Sequence, residues 1–465
     1  MPMYIVGGQG VLSGSTRFLT SAPPPHILGS PFESPTSNQQ GETTPRLLNA
    51  TNVQGASTEM AQPLGLTASD VVFDEATPEQ RLLAWELCAQ SWAKPMSVAD
   101  YIERERRLAE HDLNRDGGCR HWVLYLKGYP RLLIASCEST RRPVLISDGS
   151  GKPCREAYGY AVTNVYTAPS YRRQGYAAYL LRCIQKRMDA EGEFSVLYSD
   201  SGRRYYAGLG WIPFAARQAT ITLLTPQSPP QLQVPGRLFA PVRVKTRPLQ
   251  AEELPALCEA DCRHLAAKAF SPLGAAAGSN DDRIRIAFLP THALVSWHLA
   301  SAEFDAAKMF PAPSPASKPV PGAIVTPSHR AWACWAHDWR GRRLRVLRIA
   351  HAAAAAADDP GSDEGGSPPR TAGGATATAT AVADVAALLE AAVDEARRCG
   401  LRSVTVWNPD DVVRAGCKGV GNALEGEVKV VFEERVDGGI PSLRWKGGVR
   451  VRGVVWEEHF GYCWC

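Results

Sequence analysis

Acidic and basic residues nearly cancel in this chain: 51 Lys plus Arg stand against 47 Asp plus Glu in 465 residues. A net charge of +4 supplies no broad basic field, so nucleic acid is not an expected partner. No uninterrupted apolar run approaches a bilayer's thickness, and no membrane partner is expected. A charged leader followed by a clean apolar stretch is also missing, which argues against a secretory signal. No acidic residue precedes Glu33 and Arg17 is the one early Arg; with little aromatic content, residues 1–66 read as a disordered leader. The twelve cysteines contain no Cys-x-x-Cys pair. Cys258, Cys262 and His264 lie close together but lack a second pair at zinc-finger spacing, so they read as small residues of a helix and no metal is expected. Scattered, unpaired Cys fits a reducing, cytoplasmic location.

What is present fills two domains, since 465 residues exceed one ordinary core. Order is expected to begin near Asp70, with a short strand Val71–Phe73. Thr77, Pro78 and Gln80 form a capping box with Pro at the first helical position. A second helix opens at Ser97 and carries Tyr101, Ile102 and Leu108; its charges, Glu103 to Arg107, read as a solvated face. Strands follow at His121–Leu126, Leu132–Cys137, Val144–Ser147 and Tyr160–Thr167, with a later one at Arg217–Leu224. The Pro-rich run Thr225–Pro235 is expected to close a domain spanning 67–235. A second α/β domain, 236–465, reads as helix, strand and helix pieces, then a hairpin around Trp332, Trp335 and Trp339. Low-complexity sequence at about 351–381 reads as a disordered insertion, followed by an amphipathic helix from Val382 to Cys399.

The most informative stretch lies between Tyr158 and Trp211. A β-branched and aromatic run ends at a turn holding Arg172, Arg173, Gln174 and Gly175, and a helix follows with Leu180, Leu181, Ile184 and Met188 at the 3.6-residue period. Free N–H groups and the macrodipole at such a helix start favour an anion, and Gly allows close approach of the backbone. The backbone of Arg173, Gln174, Gly175, Tyr176 and Ala177 is therefore the expected diphosphate cradle, with charge from Arg172 and Arg173. A strand, Ser195–Ser199, and a short helix ending at Gly210-Trp211 come next.

Arg172-x-x-Gly175-x-Ala177 followed by Tyr206-x-x-x-Gly210-Trp211 resembles the acyl-CoA loop and the later tyrosine–helix–glycine–aromatic element of the GNAT acyltransferase superfamily. That resemblance implies an α/β (α+β) mixed sheet and acetyl-CoA as co-substrate. It implies that the strand edge from Val165 to Thr167 pairs with pantetheine, that the Val165 N–H faces the thioester oxygen, and that Tyr206 protonates the leaving thiolate. Ser199 stands where the superfamily often has Asn. More narrowly, Thr77 to Gln80, the SVLYSDSG run, the Trp-rich hairpin and the Trp456…Trp464 ending resemble the fungal lysine acetyltransferase family over roughly Asp70–Cys465. That resemblance implies free L-lysine as the amine substrate. A protein or peptide substrate and a non-catalytic acyl-CoA-binding role remain alternatives. The second half is not expected to bind CoA in the same way. A lysine ammonium must lose its proton, which costs about 4 kcal/mol near pH 7.4. The strand Tyr160–Thr167 contains no Glu to take it, so Glu138, Glu156, Asp200 and His121 stand as candidate bases.

Overall fold

The computed structural model describes residues 69–147, 154–224, 244–268, 283–310, 319–351, 372–448 and 453–464. The expected leader, the Thr225–Pro235 linker and most of the low-complexity insertion lie outside them. In chain order the elements are β1 (Val71–Glu75), α1 (Pro78–Trp92), α2 (Val98–Ala109), β2 (Cys119–Leu126), β3 (Tyr129–Ser147), β4 (Arg155–Thr167), α3 (Tyr176–Glu191) and β5 (Phe194–Ser199). There follow β6 (Ile212–Pro213), β7 (Arg217–Leu223), β8 (Lys245–Pro248), α4 (Leu254–Lys268), β9 (Arg285–Phe288), α5 (His292–Met309), β10 (Gly322–Thr326), β11 (Ala331–Asp338) and β12 (Arg343–His351). The chain ends through α6 (Ala372–Arg398), β13 (Ser403–Trp407), α7 (Asp411–Ala423), β14 (Val428–Glu434), β15 (Ile440–Trp445) and β16 (Val455–Trp456).

Local signals set most of these boundaries. The Thr77 hydroxyl accepts from the Gln80 N–H at 3.2 Å while Gln80 Oε1 accepts from the Thr77 N–H at 3.1 Å, so two orphan donors of α1 are satisfied reciprocally. Ser97 caps α2 by accepting from the Asp100 N–H. The strands expected at Leu132–Cys137 and Val144–Ser147 are one: β3 runs unbroken for 19 residues and pairs with β2, β4 and β9 in turn. The insertion expected to reach 381 ends earlier: α6 already begins at Ala372, although Gly373, Gly374 and three Thr in its first turns are weak helix formers.

Two mixed sheets result, one ordered β1-β2-β3-β4-β5-β15-β6 with β9 and β16 attached to β3, the other β14-β7-β13-β12-β11-β10-β8. The domain boundary expected near Pro235 does not separate them. β7, expected to complete the first domain, pairs with β13 and β14 of the second sheet, while β15, from near the C-terminus, pairs with β5 of the first. A continuous core holds Phe194 and Val196 of β5 together with Ile221, Trp332, Val404, Trp456 and Tyr462, and from Ser69 onward the described chain forms one compact unit. The physical reason is edge protection: each sheet covers an exposed strand edge with a strand from the other half of the sequence. Thr376–Arg398 within α6 is long and apolar enough to cross a membrane by composition. It buries Val385, Leu388, Leu389 and Val393 and packs on β10, β11, β12 and α7, so here it is a core helix.

Candidate active site

β4 and β5 run parallel for only three matched pairs, Gly159↔Phe194 to Ala161↔Val196. Beyond Ala161 the two strands share no pairing, and the rest of β4 is unmatched on that side. On its other side, β4 skips a register step against β3 between Thr163 and Tyr166, and Asn164 takes φ 50°. This is a bulge, which turns the backbone of Asn164 and Val165 out of the ladder. Val165, Asn164, Leu197 and Tyr206 line a hollow of about 10 Å³ in the wedge.

The loop after β4 leads to α3. Gly175 caps the helix at φ 87°, a conformation suited to glycine, and no side chain caps it. The first helical bond there is from the Tyr179 N–H to the Gly175 carbonyl at 3.0 Å, so the earlier N–H groups of the helix have no partner within it. Arg173, Gln174 and Gly175 are exposed; Tyr176 is buried against Tyr171, and Ala177 is half-buried. An uncapped helix start with a glycine opposite open space and a charged neighbour suits a diphosphate.

Two expected cofactor contacts have other employment. The Arg172 guanidinium donates to the Thr167 carbonyl and to the Tyr166 hydroxyl, both at 3.0 Å, so it staples the loop to the end of β4 and its charge reaches the helix start only indirectly. The Ser199 hydroxyl donates to the Gly202 carbonyl at 2.8 Å and accepts from the Ser201 N–H at 3.1 Å. Fully buried, that hydroxyl is engaged by its own turn. Tyr206 is placed differently. It is 1 % exposed, its hydroxyl has no hydrogen-bond partner among the described residues, and burial pushes its pKa well above the usual tyrosine value. A phenol so placed keeps its proton at neutral pH and has it available to the wedge.

A second cavity, of about 300 Å³, meets the wedge across Trp92, Thr163 and Asn164, which line both. Its walls come from both halves of the chain: α1, α2, β2, β3 and β4 on one side, α5 and the β11–β12 hairpin on the other. His121 and Glu138 face each other across β2 and β3, with Nδ1 to Oε1 at 3.2 Å. Burial alone would raise the Glu138 carboxyl, but the His121 imidazole and the Asn164 amide hold it below the usual range. Burial would lower His121, but the Glu138 carboxylate pushes it up to about 10. Of the four candidate bases these two line the cavity, whereas Glu156 is exposed and Asp200 accepts the Gly439 N–H at 2.6 Å, away from it.

The expectation of a solvated charge run on α2 holds for Glu103, Arg106 and Arg107 and fails for their neighbours. Arg104 is 3 % exposed, pairs with Glu105 at 2.5 Å and reaches Asp305 of α5 at 3.3 Å. Tyr101, Arg104 and Leu108 repeat at three- and four-residue steps, so the helical period placed Arg104 on the buried stripe. Asp305, Arg340 and Arg345 carried no comparable signal. The Trp-rich hairpin does form a wall, through His337, Asp338 and Arg345; Trp332 and Trp335 lie in the core behind it.

His337, Glu395 and Cys399 bring potential metal-ligand atoms within 4.8 Å of one another. Glu395 Oε1, however, is in contact with His337 Nε2 at 2.8 Å and accepts from the Val320 N–H at 2.9 Å and the Cys399 thiol at 3.3 Å. With Arg398 on its other oxygen, the carboxylate is a hydrogen-bond hub that a divalent cation would have to dismantle. Cys258 is buried while His264 is exposed, so that pair does not converge.

Two family models match the chain: the acetyltransferase (GNAT) family over residues 82–211, and the LYC1 GNAT-like C-terminal domain over residues 228–465. No curated protein matches. Similar solved structures include a GCN5-related N-acetyltransferase from Anabaena variabilis, 11% identical with TM-score 0.44, covering 81% of this chain and 73% of that one. One from Kribbella flavida is 13% identical with TM-score 0.41, covering 81% and 72%. A GNAT family N-acetyltransferase from Escherichia coli in complex with CoA is 18% identical with TM-score 0.23, covering 30% and 68%.

Proposed function

We propose that this chain, a GNAT acetyltransferase whose residues 228–465 form a LYC1 GNAT-like C-terminal domain, acetylates the side-chain amine of free L-lysine, with acetyl-CoA as donor. The observation that carries this reading is the cavity beside the wedge, where carboxylates and guanidiniums stand together around a space suited to a small zwitterion. Its volume of about 300 Å³ lies at the lower end of small-molecule pockets, roughly 300–1,000 Å³. The unpaired cysteines add a cytoplasmic setting to the proposal.

Acetyl-CoA supplies an activated acyl group. The chain's own residues do the rest. The backbone at Gly175 to Ala177 and the Arg173 side chain hold the diphosphate, and the free edge of β4 from Val165 to Thr167 pairs with amides as an added strand does. The Val165 N–H, turned out by the bulge, donates to the developing oxyanion. Glu138 and His121 hold one proton between them. An incoming ammonium competes with the imidazolium for that carboxylate, and repulsion between the two cations sends the imidazolium proton to solvent. The neutral imidazole then takes the ammonium proton, and the freed amine attacks the thioester carbonyl, so that the C–N bond forms as the C–S bond breaks. Tyr206 gives its proton to the departing sulfur.

A screen with L-lysine, a diamine and a lysine-containing peptide tests the reading; acetyl transfer confined to the peptide would overturn it. Tyr206→Phe is expected to lower kcat by about 100-fold with little change in KM, the lower end of the effect of losing a general acid. Unchanged turnover would remove Tyr206 from the chemistry.

A further inference from the structure

Nearly every charge in the larger cavity faces an opposite charge. Glu138 has His121, Glu105 has Arg104, and Asp305 lies between Arg104 and Arg340. Asp338, on the same hairpin as Arg345, is engaged by Arg343 at 2.8 Å and by the Gly341 N–H at 2.8 Å. Arg345 differs. It is 6 % exposed and lines the cavity, yet among the described residues it forms no ion pair, and its Nε has no hydrogen-bond partner. Its guanidinium carbon lies 4.2 Å from the ring centre of Trp464, which also lines the cavity. Stacking on an indole fixes the plane of the guanidinium and leaves its edge donors for a planar, bidentate anion. Burial pushes its pKa down to about 10 against the attraction of the Asp338 carboxylate, which lies beyond ion-pair distance, and it still carries its proton at neutral pH.

The anion that suits this arrangement is small and singly charged. Glu105, Asp305 and Glu138 on the same walls would repel a phosphate ester or a polyanion, whereas a zwitterion presents its ammonium groups to them. We propose that Arg345 is the receptor for the acceptor's α-carboxylate, held flat by Trp464, and that this pairing selects a free amino acid over a diamine or a lysine inside a polypeptide. The inference rests on the amine-acetylating reading above and assigns the specificity of that same cavity. A peptide-bonded lysine has an uncharged amide at this position and a diamine has nothing there, so each leaves the buried guanidinium unpaired.

The test compares wild type, Arg345→Met and Arg345→Lys in acetylation of L-lysine and of 1,5-diaminopentane, which is lysine without its carboxylate. L-norleucine, which keeps the carboxylate and lacks the side-chain amine, serves as a calorimetric ligand. The lysine-to-diamine ratio of kcat/KM is expected to fall roughly 100-fold in Arg345→Met and about 10-fold in Arg345→Lys, which keeps the charge without the fork. Norleucine is expected to bind wild type and not Arg345→Met. If both amines lose activity equally, or norleucine binds Arg345→Met as it binds wild type, the assignment is overturned. Should wild type acetylate no amine at all, the proposed function fails, and norleucine binding alone decides Arg345: its loss in Arg345→Met supports the receptor, and no binding to wild type refutes it. CoA binding and the melting temperature report whether Arg345→Met is folded; if it is not, the same comparisons on Arg345→Lys decide.

Discussion

Glu138→Gln is expected to lower kcat/KM for the amine acceptor by about 1,000-fold, within the range for loss of a positioned general base. Gln keeps the shape of the side chain and removes the charge that attracts an ammonium and retains the His121 proton across 3.2 Å. With the carboxylate gone, burial is no longer opposed by its charge, and the His121 imidazolium gives up its proton more readily. Steady-state kinetics across pH check this: the mutant's residual activity should lose the wild-type dependence on the pair, and a loss under about threefold would remove Glu138 from proton transfer. Stability carries an independent signature. His121 is raised in the folded protein, so its contribution is complete below the unfolded value near 6.5 and is lost as pH climbs toward about 10. Glu138 is depressed, so its contribution is complete above the unfolded carboxyl value near 4.3 and is lost as pH falls through the folded one. The melting-temperature advantage of wild type over Glu138→Gln is therefore expected to peak between roughly pH 4.5 and 6.5 and to shrink on either side.

Asp261→Ala should destabilise the fold by about 3–5 kcal/mol, the usual cost of removing one partner from a buried ion pair. Asp261 of α4 holds Arg348 of β12 through two bonds, at 2.7 and 2.9 Å, with both side chains almost fully buried. The same guanidinium pairs with Glu458 and lies over the Phe460 and Tyr462 rings. Tyr462 in turn donates to the Phe288 carbonyl at 2.7 Å, and its own carbonyl lies 3.3 Å from His298 Nε2. Arg348 thus fastens the C-terminal segment that carries Trp464 to the cavity wall. Chemical denaturation measures the loss, and a rise in KM for the acceptor should accompany it as the Trp464 platform loosens. The double change Asp261→Leu with Arg348→Met is expected to recover much of the stability, because it leaves no buried charge alone. A double variant no more stable than Asp261→Ala would show that the pair acts through shape.

The C-terminal half repeats the arrangement of the first in outline, with β12 parallel to β13 and α6 between them in sequence. Pairing there ends at Val346↔Val406, and the turn Gly461–Cys463 lies against the backbone of Val346 and Leu347, so close that a Cβ on Gly461 would come 2.5 Å from the Val346 carbonyl oxygen. The first wedge stays open beside Tyr206, whereas here the chain packs against itself. That half supplies α5 and the β11–β12 hairpin to the wall of the larger cavity.

What the linear order determined was everything whose physics is local. Thr77 and Gln80 cap α1 from three residues apart, Gly175 and the residues around it announce an uncapped helix start, and the period of α3 follows from Leu180 to Met188. Tyr206 was legible for the same reason, as part of a short motif ending at Gly210-Trp211. The tertiary structure decided everything that depends on distant residues meeting. Ser199 spends its hydroxyl on its own turn and Arg172 on the end of its strand, choices made by packing among several available partners. β7 and β15 exchange sheets because an exposed strand edge pairs with whatever strand the fold presents, and sequence distance does not enter. The larger cavity depends most on that assembly: Arg104 and Asp305 pair across 201 positions, and Arg345 meets Trp464 across the same core. A charged residue reads as solvated until its neighbours are known, since burial and counterion, rather than residue type, decide what it does.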